Sequence, residues 1–376
     1  MKYYIPFIMF FLSFTTTYGQ GRFTLSGYIS DFQTTEKLPG ASVKIEKQNK
    51  GVSANNYGFY SLTLTPGDYT FGYSFVGYEM QYVSVKLSCD TIINISLKSV
   101  LTIEEVTVKA RKLNAGFTES TETGTDMVKI ETVKKMPAIG GEPDVLKTLQ
   151  YLPGIKQSQE GTSAISVRGG SPDQNLILLD GVPVYNVNHL FGFLSVFNSD
   201  ALSQVKMYKG GIPARYGGKL SSVLDIAMKE GNINEAGGSV SVSPVAGSVV
   251  FEGPIKADTS SYLVSARRTF LDLPVRLGLL ITQPVQAGYN FYDLTAKANW
   301  IIDPKNRIYL SAYLGQDRYF IKYKDDDAKS DYAYKWGNAT TVFRWNNIIS
   351  NKLFANYTGY FSSFSNKQNN KIKDEN

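Results

Sequence analysis

The chain has 376 residues, a formal charge of +6, one histidine and one cysteine. A single histidine excludes a zinc-peptidase centre built on two imidazoles, and a single cysteine excludes an internal disulfide, so burial and backbone pairing must hold the fold. The small, dispersed positive charge excludes nucleic acid as a partner, and 25 tyrosines, 21 phenylalanines and 33 glycines suit β-structure with aromatic interfaces.

Residues 1–19 read as a secretory signal. Lys2 supplies the charge, Ile5 to Phe14 the apolar run, and Thr17-Tyr18-Gly19 a small-x-small cleavage site that leaves Gln20 first. The run is far short of the ~20 residues a spanning helix needs, and no other long apolar run follows. The mature protein is therefore expected outside the cytoplasm without a transmembrane helix.

Residues 20–98 hold short strands: FTLSGYIS, ASVKIEK, FYSLTLT, DYTFGYSFV, MQYVSVKL and TIINISL. Turns at Leu38-Pro39-Gly40, Asn56-Tyr57-Gly58, Pro66-Gly67-Asp68 and Gly77 space them as in a β-sandwich. Cys89, between apolar strand residues, is expected to be structural rather than reactive. Through LPGASV, NNYGFYSL, PGDYTF and VGY the segment resembles the carboxypeptidase regulatory-like domain, which implies a seven-stranded sandwich acting as a module and not as a catalyst.

Residues 99–135 join this domain to the next. Thr102, Ile103, Glu104, Glu105, Val106, Thr107 and Val108 alternate in a β-prone piece with no local partner, suited to adding itself to another protein's sheet edge. A last sandwich strand, or a strand docked on the next domain, is the competing reading. Residues 111–135 are polar and read as a weakly ordered connector.

Residues 136–230 read as a small α/β domain. Asp144 to Leu152 makes about two helical turns, with Pro143 at the first position, Val145, Leu149 and Leu152 on one face, and Pro153-Gly154 as the stop. Thr162 to Arg168 is a strand ending at Gly169-Gly170. Leu176 to Leu179 is wholly apolar and expected to be buried on both faces. Asp180-Gly181 is a hairpin turn, and Pro183 places the returning strand at an edge. Asn198 caps a short helix through Gln204, and Val205 to Lys209 and Leu220 to Met228 close the domain as strands.

The pieces VLKTLQYLPGI, ISVRGG, NLILLDGVPVYN, LSQVKMYKGG and IPARYGGKLSSVLDI, in this order, resemble the plug domain of TonB-dependent outer-membrane transporters. The resemblance marks Arg168, Gly169, Gly170, Asp180, Gly181, Arg215, Tyr216, Gly217 and Gly218 as its motif positions. It also makes residues 102–108 similar in position to the TonB box, the contact for a periplasmic energy-coupling protein.

Residues 231–376 change to long strands, about six in number: Gly237–Gly253, Ser261–Phe270, Tyr289–Ile302, Arg307–Ile321, Tyr334–Ile349 and Asn351–Phe364. Ile308, Leu310, Ala312 and Leu314 alternate with Tyr309, Ser311, Tyr313 and Gly315, the period of a sheet with unlike faces. Short connections alternate with long ones at Leu271–Gly288 and Lys322–Ala333, as in outer-membrane barrels. A plugged transporter barrel has ~22 strands, so the chain reads as truncated within the barrel and is not expected to close a pore alone.

The expected fold is mainly β: a sandwich, an α/β plug and the first strands of an antiparallel outer-membrane barrel. The implied function is import of a small nutrient (iron chelate, oligosaccharide or peptide) by energised plug rearrangement. The partners would be a TonB-type coupling protein, outer-membrane lipid and the nutrient. The alternative is a non-transporting periplasmic or surface binding remnant. No enzyme, cofactor or metal is implied. Gly217-Gly218-Lys219 lacks the first glycine and the Ser or Thr of a phosphate loop, and Asp325-Asp326-Asp327 lacks calcium-loop spacing. His189, with Asp180 nearby, has no nucleophile. Arg168, Arg215, Arg267 and Arg268 are either solvated or hold the plug through carboxylates in a wet lumen.

Overall fold

The computed structural model describes residues 21–48, 50–100, 117–119, 124–160, 162–273, 285–324 and 328–374. The signal at 1–19, the box at 102–108 and Asp325–Asp327 lie outside the described residues.

The N-terminal domain is two packed sheets. One pairs Phe59–Leu64, Phe23–Asp31 and the interrupted strand Thr91–Ile92/Ile95–Leu97; the other runs Gly51–Ser53, Ser42–Ile45, Gly67–Ser74 and Gln81–Leu87. The short strand Gly51–Ser53 carries no alternation of its own and was invisible in the pattern. Leu25, Ile29, Val43, Phe71, Leu87, Ile95 and Leu97 fill the space between the sheets. Two buried hydroxyls find partners inside it: Tyr60 and Tyr73 lie 3.1 Å apart, and Tyr60 donates to the Ile93 carbonyl at 2.8 Å. Gly27 lets the last strand lie parallel beside the first, since a Cβ there would stand 1.9 Å from the Ile93 oxygen. Cys89 is exposed, against the structural role expected of it, because the strand before it ends at Leu87 and the cysteine falls in the turn.

The plug centres on a six-stranded mixed sheet ordered Val182–Pro183, Asn175–Leu179, Ser222–Met228, Leu202–Tyr208, Thr125–Lys129, Phe117–Glu119. The edge position of Pro183 is as expected, and Ile177, Leu178 and Leu179 are buried. The connector reading of residues 111–135 is corrected. Thr125–Lys129 pairs along Leu202–Tyr208, and the helix Ile130–Lys135 buries Ile130 and Val133 in the plug core. Met127, Val128, Ile130 and Val133 are its few large apolar groups among residues 124–135 and all are buried, so low hydrophobicity misled. The second helix is Val145–Leu149, with Asp144 as N-cap accepting from the Lys147 amide at 3.0 Å; Pro143 precedes the cap instead of opening the helix. After Asn198 there is only a 3-10 turn, Ser199–Ala201, before the strand begins at Leu202.

The third unit is a seven-stranded antiparallel sheet curving round the plug: Gly237–Val242, Ala246–Lys256, Ser260–Thr269, Val285–Asp303, Asn306–Lys324, Ala328–Ser350 and Leu353–Asp374. The expected first strand, Gly237–Gly253, is a hairpin, paired from Gly237↔Glu252 to Val242↔Gly247 about a turn at Ser243. Ser243 forms that turn by accepting from the Val245 and Ala246 amides. The loop expected at Lys322–Ala333 is mostly paired strand, since the ladder runs on through Tyr323↔Ser330. The side chains alternate with inverted polarity. Asp293, Thr295, Lys297 and Asn299 are buried toward the plug, whereas Leu294, Leu310, Leu314 and Phe343 on the far face are 43–49% exposed. No helix among the described residues is long and apolar enough to cross a membrane.

Candidate functional site: the seam between plug and wall

The plug is held to the sheet by two clusters of buried polar groups. The first lies at the plug hairpin. Asp180 and Gly181 both have left-handed backbone, φ 50° and 81°, which bends the turn tightly enough to bury the carboxylate. Its oxygens accept from the Met228 amide at 2.9 Å and face Lys297 Nζ of the wall at 3.0 Å, while the Arg344 guanidinium donates to the Asp180 carbonyl. Burial by itself would raise the Asp180 pKa, but Lys297 and Arg344 hold the carboxyl below its ordinary value.

Asp180, Gly181, Arg215, Tyr216, Asp225 and Arg344 line one cavity of about 470 Å³ together with Tyr57 of the sandwich. Arg215 donates to the Tyr208 and Tyr216 hydroxyls, and Tyr216 in turn donates to Asp225 at 2.8 Å. Burial pushes the Asp225 carboxyl up despite these donors. The sandwich seats here through Tyr57 and Phe59, both stacked on Phe354, and through Ser61, which donates to the Asn351 carbonyl at 2.8 Å.

The second cluster surrounds His189, which is not beside Asp180 but enclosed by the wall. Its Nδ1 lies 2.8 Å from Asp317, and its Nε2 lies 2.9 and 3.0 Å from the two oxygens of Asp293. Its ring stacks on Phe291 at 4.0 Å. Arg267 reaches Asp293 through Nε and Nη2 at 2.9 and 2.7 Å and also donates to the Ser195 carbonyl of the plug. The Tyr313 hydroxyl donates to Asp293, and the Tyr289 hydroxyl to Asp317.

Of the four arginines singled out from sequence, Arg267 ties plug to wall, whereas Arg268 pairs with Asp272 within the wall. Arg215 bonds inside the plug, and Arg168 is an exposed residue with φ 47° leading into Gly169. Gly170 is required by contact, since a Cβ would meet Ser221 Oγ at 2.3 Å. Gly217 and Gly218 lie apart from the seam, beside Asp173 and Lys219. Asp293, Asp317, Lys297 and Arg344 were missed, although Asp293, Thr295, Lys297 and Asn299 form a polar period-two row that a search for inward charges would have found.

An α/β domain pinned by buried ion pairs inside a curved sheet, polar within and apolar without, is the architecture of a plugged β-barrel. Residues 25–108 match the CarboxypepD_reg-like domain and residues 120–223 the TonB-dependent Receptor Plug Domain. In domain content the chain thus matches a TonB-dependent receptor. It is 27% identical over 127 residues to the ferrienterobactin receptor of Escherichia coli (strain K12), covering 29% of this chain and 17% of that protein. Among solved structures it is similar to a ferric enterobactin receptor mutant of Pseudomonas aeruginosa (15% identity, 66% of this chain, 46% of that one, TM-score 0.38). The siderophore receptor PirA of the same organism gives 16%, 66%, 54% and 0.38. The chain thus spans about half the length of these two structures and less of the curated relative.

Proposed function

We propose that the protein serves active import of a small nutrient across the outer membrane. The observation that carries this reading is the inverted polarity of the wall. A sheet that buries Asp293, Lys297 and Asp317 against a plug while exposing Leu294, Leu310 and Phe343 is arranged for lipid outside and a wet, obstructed lumen inside. Its strands would satisfy their backbone groups in lipid only as part of a closed barrel. The sandwich lies at the end of the wall that carries the short turn at Asn351, the periplasmic end in this reading. Cargo would be an iron chelate, oligosaccharide or peptide, and the coupling partner a TonB-type protein engaging Thr102–Val108. The match to the regulatory-like domain extends to residue 108, across this piece.

Val106→Pro tests the coupling role. Proline removes a ladder donor and fixes φ, so strand addition fails while the distant outer face is untouched. In cells making the receptor with its barrel closed, uptake is expected to fall at least tenfold with cargo binding unchanged. Loss of binding together with uptake would place the segment inside the folded plug instead.

A further inference from the structure

Both ring nitrogens of His189 face carboxylate oxygens, and this settles where a proton must sit. A neutral imidazole has one N–H and one lone pair, so one of its two contacts would set a lone pair against a carboxylate. The alternative, a proton on an aspartate, is opposed at Asp293, whose oxygens already accept from three other donors that favour the ionised carboxylate: Arg267 Nε and Nη2 and the Tyr313 hydroxyl. Asp317 likewise accepts from Tyr289. With His189 cationic, two positive groups (Arg267, His189) balance two negative ones (Asp293, Asp317). With His189 neutral, a buried net charge of one is left at a site where these four side chains are all nearly inaccessible.

The segment after the histidine is the part that stands to move. Leu190 and Phe191 have φ of 50° and 54°, left-handed backbone that bulky side chains avoid, and Leu190 N–H is held by the same Tyr289 hydroxyl that bonds Asp317. Phe191 stands 60% exposed beyond this anchor, with Tyr319 and Trp336 around it.

We propose that His189 is an imidazolium clamp that pins plug residues 188–194 to the barrel wall, and that loss of its one proton releases the segment. The inference rests on the plug–wall geometry alone and stands whatever the cargo is. The wall brings Arg267, Phe291, Asp293, Tyr289, Tyr313 and Asp317 to the cluster. From the plug, Asp144 is already committed to the Ser195 amide and to Ser163, and Glu142, which acts on Arg267, accepts from Ser243. Strand Ala328–Ser350 adds Trp336 beside Tyr289. Burial alone would lower the His189 pKa, yet Asp293 and Asp317 outweigh it and raise it to about 9. The sign follows: a raised pKa means the clamp's contribution is complete below the ordinary value of 6.5 and is lost as pH rises through about 9.

The chain's single histidine makes the test direct. The chain is folded in detergent micelles with 15N-labelled imidazole, so that one pair of ring signals reports His189 without assignment. Two protonated ring nitrogens at pH 7.5 and a midpoint near pH 9 are expected. A neutral tautomer at pH 7.5, with the near-ultraviolet circular dichroism of a packed wall intact, would overturn the proposal. Asp317→Asn removes one carboxylate but keeps an acceptor, and should bring the midpoint down by at least one pH unit; an unmoved midpoint would show that the bridge does not hold the proton. Release is read separately by protease nicking within residues 186–194, expected to rise about tenfold from pH 7.5 to 10 in the parent and to be equal at both in His189→Gln. A parent whose nicking does not change with pH would refute release.

Discussion

Asp180→Asn is expected to destabilise the folded chain by about 3 kcal/mol, even though asparagine suits the left-handed turn as well as aspartate does. The loss is electrostatic. Lys297 Nζ lies 3.0 Å from the carboxylate with both side chains almost fully buried, so removing the negative charge leaves an ammonium without its partner. Asp180→Ala should cost about 1–2 kcal/mol more, since alanine resists the φ of 50° and also orphans the Met228 amide. Adding Lys297→Met to Asp180→Asn should recover most of the loss, because the Lys297 ammonium is then no longer stranded. Urea unfolding in micelles, followed by tryptophan fluorescence, measures the parent and the three variants. A change below ~0.5 kcal/mol for Asp180→Asn would mean that water reaches the pair and screens it. The pH dependence has a definite sign: a depressed carboxyl pKa contributes fully above its ordinary value of 3.8 and is lost as pH falls below it. The acid limb of the stability curve should therefore flatten in the variant.

The second large effect belongs to the sandwich. Residues 21–100 are expected to unfold cooperatively as an isolated domain, and Phe71→Ala within it to lower stability by about 3–5 kcal/mol. Phe71 is fully buried in the cluster joining the two sheets, on a strand paired on both sides to Ser42–Ile45 and Gln81–Leu87. Neither neighbour has freedom to collapse into the space left behind. For a domain of this size the melting temperature should fall by at least ~15 °C. Isolation uncovers Tyr28 and Phe59, which pack on Ile348 and Phe354 in the whole chain, so some loss of solubility is expected but not of fold. A coil-like circular dichroism spectrum, or a Phe71→Ala shift of only a few degrees, would refute the domain boundary or the core assignment.

What could be read locally was read correctly because its cause is local. The turn at Asp180-Gly181 needs only two residues able to take positive φ. The unlike faces of Asn306–Lys324 follow from a period of two, with Tyr309, Ser311 and Tyr313 buried and Leu310 and Leu314 outward. The sandwich strands were legible for the same reason, apart from Gly51–Ser53, which is too short to alternate.

Where reading failed, the deciding contact lies far along the chain. Thr125–Lys129 becomes a strand because Leu202–Tyr208 offers it a ladder, and that partner is invisible to a local window. The break at Ser243 depends on a hydroxyl folding back on its own backbone, so one apolar-looking run became two paired strands. Composition and pattern by themselves determined a β-rich chain with a sandwich, a plug hairpin and a two-faced wall, since each of these depends on residues within a strand or turn. Only the tertiary structure decided what Asp180 and His189 do. Their partners stand 104 to 128 residues away, at Lys297, Asp293 and Asp317, and a charge takes its role from whichever opposite charge folding buries against it.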